Sequence, residues 1–190
     1  PSRYCESDLM SRCAQQLFGD LAPGIGRVQA IVDWIHDSIT YEPGSSDSTT
    51  TAREVFVERA GVCRDFAHLG ITFCRALNIP ARLVVGYVCF HEPPQDFHAV
   101  FEAWPGGRWV LFDPTRMAPV DRLVRVGTGR DAKDVAFCTI FGAVAMTGKT
   151  LVIRELQDES VAPPAEPEPT GALVGIEKPV PVVELAAAAD

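Results

Sequence analysis

The sequence predicts an α+β domain, helical in its first half and built from antiparallel strands in its second. Three observations carry this expectation. Apolar residues recur at steps of three and four up to about Leu77, then give way to short runs rich in valine and aromatics. Glycine and proline punctuate the second half in the manner of strand connections. At 190 residues and 47% hydrophobic content, the chain can fill one core.

The elements follow in order. Ser7 is placed to cap a short helix over residues 8–18. Pro23 and Gly24 break the chain. Over 25–39, Val28, Ile31, Ile35 and Ile39 form one apolar stripe, with Arg27, Asp33 and Asp37 turned away. YEPGSSDSTT reads as a loop. Thr51 and Glu54 match a capping box, so a short helix runs to about Arg59, and Gly61 is expected to end it in the left-handed conformation. A longer helix spans 63–77, with Phe66, Leu69, Phe73 and Leu77 as its buried stripe, and stops at Asn78 and Pro80. Strands are expected over 82–90, 97–104 and 108–112, joined by the loop HEPPQD and the turn Pro105-Gly106-Gly107. Asp113-Pro114 closes the last of them. Two more are expected over 135–140 and 150–156. The core domain thus covers 1–157.

From Asp158 to Asp190 the chain becomes a Pro/Ala/Glu-rich tail. VAPPAEPEPTG reads as an extended linker, and PVPVVEL as a segment that could dock as a strand, although a flexible tail is the simpler expectation. The tail holds seven acids and one base and carries most of the formal charge of −8. The body is nearly neutral and shows no basic stripe, which argues against a nucleic-acid partner. No apolar run approaches the roughly 18 residues of a membrane span. The polar start has no initiator Met and no apolar signal segment, as expected of a fragment or a processed chain. None of the six cysteines is paired in C-x-x-C spacing, so no zinc site of that type is expected. A chain with a full core needs no disulfides, and reduced thiols in a cytoplasmic setting are expected.

The residues that carry chemistry begin with Cys63. It opens the predicted fourth helix, where free N–H groups and the helix dipole stabilise a thiolate and could hold an oxyanion. Cys74 lies well inside the same helix without that advantage. His68 is only five residues from Cys63, but that spacing turns it about 140° away around the helix. His36 faces the polar side of its helix, and His91 opens a loop. His98 sits on a strand, a rigid place for a base. An acid should orient that base. In the predicted hairpin, a loop over 104–107 puts His98 directly opposite Asp113. A register centred on Gly106-Gly107 instead puts Asp113 opposite Val100, diagonal to His98. Both place the two side chains on one face. Asp65 reads as a charge favouring the helix N-terminus and Arg64 as solvated. Taken singly, each residue has an ordinary structural explanation. Their conjunction points to thiol chemistry.

GVCRDFAHL, FHAVFEAW and RWVLFDPT together resemble the three-part signature of the bacterial transglutaminase-like superfamily: Gly-x-Cys-x-Asp-Phe-Ala, a strand His followed by Ala, and Trp-x-x-Phe-Asp-Pro-Thr. The resemblance runs from about Ser7 to Leu156. It implies a papain-like transglutaminase core, with N-terminal helices packed on an antiparallel sheet or barrel. It also implies Cys63 as nucleophile, His98 as general base and acid, and Asp113 as orienter. Val100 stands where the family commonly has Trp, which alters the wall of the site. Such proteins often carry an N-terminal β-rich domain. PSRYCESD resembles the segment that joins it to the core, so the domain is expected to be absent from this chain. The expected activity is acyl transfer at an amide or peptide bond through a Cys63 thioester, by a peptidase, amidase or transglutaminase acting on a protein or peptide. The alternative is an inactive module that binds a protein or peptide. No cofactor, metal, nucleic acid or membrane is expected.

Overall fold

The computed structural model describes residues 1–90, 95–139, 141–143 and 147–154, and the backbone of 173–174. In chain order its elements are α1 (Ser11–Phe18), α2 (Ile25–Ser38), β1 (Thr40–Tyr41), α3 (Ala52–Glu58), β2 (Ala60–Gly61), α4 (Cys63–Ala76), β3 (Ala81–Tyr87), β4 (Phe97–Ala103), β5 (Val110–Phe112), β6 (Val124–Gly129) and β7 (Leu173–Val174). Strands β3 to β7 form one antiparallel sheet, ordered β6-β3-β4-β5-β7. Among the described residues this sheet is open rather than closed into a barrel. The α+β architecture is the one expected, and no described helix is long and apolar enough to cross a membrane.

Local chemistry sets the helix ends. α1 begins later than a Ser7 cap implied. Met10 holds the cap position without a side-chain bond, and the Ser11 hydroxyl donates to the Ser7 carbonyl at 2.9 Å. α2 buries Val28, Ile31, Val32 and Ile35, the expected face. α3 opens on the capping box: the Thr51 N–H donates to the Glu54 carboxylate at 2.7 Å, and the Glu54 N–H returns to the Thr51 hydroxyl. Its C-terminus corrects the sequence reading. Arg59, not Gly61, takes the left-handed conformation, with φ 60°. Gly61 lies in β2, where an added Cβ would stand 2.8 Å from the Asp65 Cβ. Glycine is needed there because α4 comes close.

α4 is the central element. The apolar stripe expected of it is widened to a full circumference, because every residue from Asp65 to Cys74 is buried. α1, α2 and α3 pack on it from one side, and β3 and β4 from another. At Gly70 the helix rides directly on the Phe101 ring, where a Cβ would sit 2.5 Å from a ring carbon. Phe66, Phe73, Phe101 and Phe112 are each at most 2% exposed. At about 1.5–3 kcal/mol per large apolar side chain, such burial is the main force joining helices to sheet.

β3 and β4 pair without interruption from Ala81↔Ala103 to Tyr87↔Phe97. β4 and β5 pair as Phe101↔Phe112 and Ala103↔Val110. Of the two registers left open by the sequence, this is the one centred on Gly106-Gly107. Beyond Ala103, Trp104 and Trp109 pack edge to face at 5.3 Å, while the Trp104 N–H extends the β3 ladder to the Pro80 carbonyl at 2.8 Å. Further along β4, Glu102 is fully buried between the Arg82 and Arg125 guanidiniums, which balance its charge.

The described parts of 135–140 and 150–156 are not strands. The sheet edge is instead β6, which the sequence reading missed. Val124 and Val126 project into solvent there, so no buried alternation marks it. Gly127 and Gly129 make room for Val135 and Asp134, which cross it as turn residues. Residues 140, 155 and 156, the linker and PVPVVEL lie outside the described residues. Leu173–Val174 pairs with β5.

Candidate active site

Cys63 is the first residue of α4, so its N–H has no acceptor within the helix. The turn around it is fixed by Asp65, which is fully buried. The Asp65 carboxylate accepts the Val62 N–H at 2.9 Å, while the Val62 carbonyl accepts the Asp65 N–H at 2.8 Å. Asp65 also accepts Arg64 Nε at 3.0 Å and the Ser46 hydroxyl. Arg64 is therefore tied down rather than solvated, and its Nη2 reaches the Asp47 carbonyl at 2.7 Å. These bonds anchor the 44–50 loop beside the helix start.

The register of β4 and β5 carries the other two candidates. Phe101 faces Phe112, so the next position sets Asp113 opposite Val100, with His98 on the diagonal. His98 and Asp113 meet there, with Nε2 to Oδ2 at 2.8 Å. They are 3% and 6% exposed. The Asp113-Pro114-Thr115 sequence explains the aim of the carboxylate. Proline supplies no N–H, and the Thr115 N–H and hydroxyl hold Oδ1 at 2.9 and 2.7 Å, which leaves Oδ2 for His98. His36 on α2 donates from Nδ1 to the Pro114 carbonyl at 3.2 Å, which anchors the same turn. On the other side, Phe90 packs edge-on against the His98 ring at 5.2 Å. Gln95 holds Phe90 by bonds to both its N–H and its carbonyl.

Cys63 lies close enough to His98 for its side chain to act on the titration of the ring. With Nε2 taken by Asp113, Nδ1 is the ring nitrogen left for sulfur. Burial alone would lower the His98 pKa. The hydrogen bond to Asp113, and the negative charge that Asp113 and Cys63 can each carry, raise it to about 9. The structure thus brings Cys63, His98 and Asp113 into one chain of neighbouring side chains, in which His98 is hydrogen-bonded to Asp113. Such a chain can pass the sulfur proton to the ring while the carboxylate steadies the imidazolium.

The remaining candidates stand apart. His68 faces away from Cys63, stacked on Tyr4 at 5.2 Å, with Nε2 accepting the Ala132 N–H at 3.1 Å. Burial pushes its pKa down to about 4, so the ring is neutral near pH 7. Cys74 is fully buried, and burial pushes its thiol upward. His91 lies outside the described residues. All six cysteines are unpaired. Among the described residues, no three His, Cys, Asp or Glu side chains gather as metal ligands would.

Sequence reasoning misses Tyr41. It opens an apparent loop, and only the parallel pairing of Thr40-Tyr41 with Ala60-Gly61 brings it to the start of α4. Burial, with the charge of Cys63, Asp96 and Asp113 nearby, pushes the Tyr41 pKa up to about 12. The only sequence signal is a β-branched residue and an aromatic just after the α2 stripe.

Residues 11–114 match the family model of the transglutaminase-like superfamily. A crystal structure of a proposed cysteine protease from Cytophaga hutchinsonii superposes with a TM-score of 0.73 at 53% identity, over 75% of this chain and 49% of that one. An uncharacterized protein of Mycobacterium leprae is 34% identical over 120 residues, 57% of this chain and 42% of its own. An uncharacterized protein of Mycobacterium tuberculosis is 34% identical over 143 residues, 68% of this chain and 46% of its own. The chain spans about half the length of the curated relatives it matches. The match takes in the segments that hold Cys63, His98 and Asp113 within the papain-like α+β fold, and the chain belongs to the transglutaminase-like superfamily.

Proposed function

We propose that the chain is a cysteine-dependent acyl-transfer enzyme acting at an amide or peptide bond of a protein or peptide. The observation that carries this reading is Cys63 at a helix N-terminus beside the buried, hydrogen-bonded His98–Asp113 pair. Cys63 attacks the carbonyl carbon with its proton already held on His98. The tetrahedral intermediate collapses to a thioester as the amine leaves with that proton. His98 then takes a proton from water, which attacks the thioester and releases the acid.

Hydrolysis is favoured over transfer to a second amine, because nothing in the sequence marks an amine-acceptor tunnel. The Cytophaga hutchinsonii neighbour, described as a proposed cysteine protease, supports the same choice. The test is digestion of a mixed-sequence peptide library, with products read by mass spectrometry. The wild-type chain should cleave a subset of peptides and Cys63→Ala none. A Cys63→Ala variant that cleaves at the wild-type rate would overturn the reading. A folded wild-type chain that cleaves nothing and takes up no acyl group would favour a binding module instead.

A further inference from the structure

We propose that Gln95 is a positioning residue for this reaction: its carboxamide clamps the Phe90 backbone, and Phe90 in turn keeps water from the His98–Asp113 pair. The proposal rests on His98 being the base that serves Cys63.

The need for a clamp follows from where β3 ends. Its ladder with β4 stops at Tyr87↔Phe97. Phe90 lies beyond that end, outside any strand, yet is only 5% exposed. A buried peptide N–H and carbonyl need partners. Pro93 and Pro94 have no N–H with which to extend the ladder. The Gln95 side chain supplies both groups instead. Its Oε1 accepts the Phe90 N–H at 3.0 Å, and its Nε2 donates to the Phe90 carbonyl at 2.7 Å. The two bonds close a ring like the one between directly paired residues of an antiparallel sheet. A primary amide carries donor and acceptor side by side, whereas glutamate would set a carboxylate against the Phe90 carbonyl.

Held in this way, the Phe90 ring stands perpendicular to the His98 ring, with centroids 5.2 Å apart. The other neighbours of His98 have firmer support. Val100, on the same face of β4, is paired with Val84, and Asp113 is held by the Thr115 N–H and hydroxyl. Among the described residues, the Phe90 backbone is held by one side chain. Exclusion of water strengthens the attraction between the His98 imidazolium and the Asp113 carboxylate. A wall that swings away therefore weakens the pair that the reaction uses.

The proton in the His98–Asp113 bond reports the seal directly. In a chain carrying isotope-labelled histidine, NMR detects an imidazole N–H only where exchange with water is slow, and loss of the signal in His98→Gln assigns it. Gln95→Met keeps the reach of the side chain and removes both bonds to Phe90. It should speed exchange of the His98 proton at pH 7 at least about tenfold. Phe90→Leu keeps the clamp, removes the ring and should speed exchange at least as much. The double variant should exceed Phe90→Leu by less than about twofold, because Gln95 acts through Phe90. Acylation of Cys63 by p-nitrophenyl acetate should slow about tenfold in each single variant. Exchange at the wild-type rate in Gln95→Met would overturn the assignment, as would single effects that multiply in the double variant. Faster exchange with undiminished acylation would overturn it too, since the seal would then not serve the reaction. A wild-type chain with no slowly exchanging His98 proton would contradict the seal. A wild-type Cys63 that takes up no acyl group would sink the acyl-transfer reading itself, a failure seen before any variant is measured.

Discussion

Asp113 shows how much of the site rests on single atoms. Its two carboxylate oxygens are divided, one to Thr115 and one to His98. The hydrogen bond and charge it offers outweigh the burial that would otherwise lower the His98 pKa. The raised value has a sign. His98 keeps its proton in the folded chain up to about pH 9, against about 6.5 when unfolded. The stability gained from that proton is complete below pH 6.5 and lost as pH rises through about 9. Activity that uses the imidazolium as acid falls over the same alkaline limb. Asp113→Asn removes the charge, so the descending limb of kcat/KM should move to lower pH and its plateau drop roughly 10²- to 10⁴-fold. A pH-rate profile checks both. An unmoved limb would separate Asp113 from His98 titration.

At the scale of elements, α4 and the β4–β5 hairpin decide where the site forms, and the two differ in how openly the sequence states them. The start of α4 is legible from the break at Gly61 and from Asp65 at its third position, a charge that favours a helix N-terminus. The hairpin leaves two registers, because a loop of either length puts His98 and Asp113 on one face. The observed register sets Phe101 against Phe112, stacked at 5.5 Å, and Trp104 against Trp109, edge to face at 5.3 Å. The pairing of β1 with β2 is likewise invisible locally, since each strand has two residues. Tyr41 went unread for that reason. Gly70 is the tightest point between α4 and β4. Gly70→Ala gains about 1 kcal/mol of helix propensity, but crowding the Phe101 ring costs about 1–3 kcal/mol. The net expectation is a lower Tm, by a few degrees. A higher Tm would mean that the ring yields freely.

Across the whole molecule, the helix-first, strand-second order and the candidate triad are readable because each rests on a local pattern. The lost ground lies in the last third. The edge strand β6 exposes its valines, and residues 131–137 form turns across it, so neither shows the alternation that a half-buried strand would. The same whole-molecule view sets the six cysteines against one another. Cys5 and Cys74 are sealed in the core, with the Cys5 thiol pushed up to about 12 by burial, while Cys138 is exposed and serves as an internal standard. Cys63 is partly buried, so exposure alone ranks it behind Cys138. The most direct test is the iodoacetamide alkylation rate of each cysteine at pH 7, resolved by peptide mass spectrometry, in the wild-type chain and in His98→Ala. Cys63 should react at least about tenfold faster than Cys138 and lose that lead in His98→Ala. A Cys63 that reacts no faster than Cys138, or that is indifferent to the loss of His98, would contradict its assignment as an activated nucleophile.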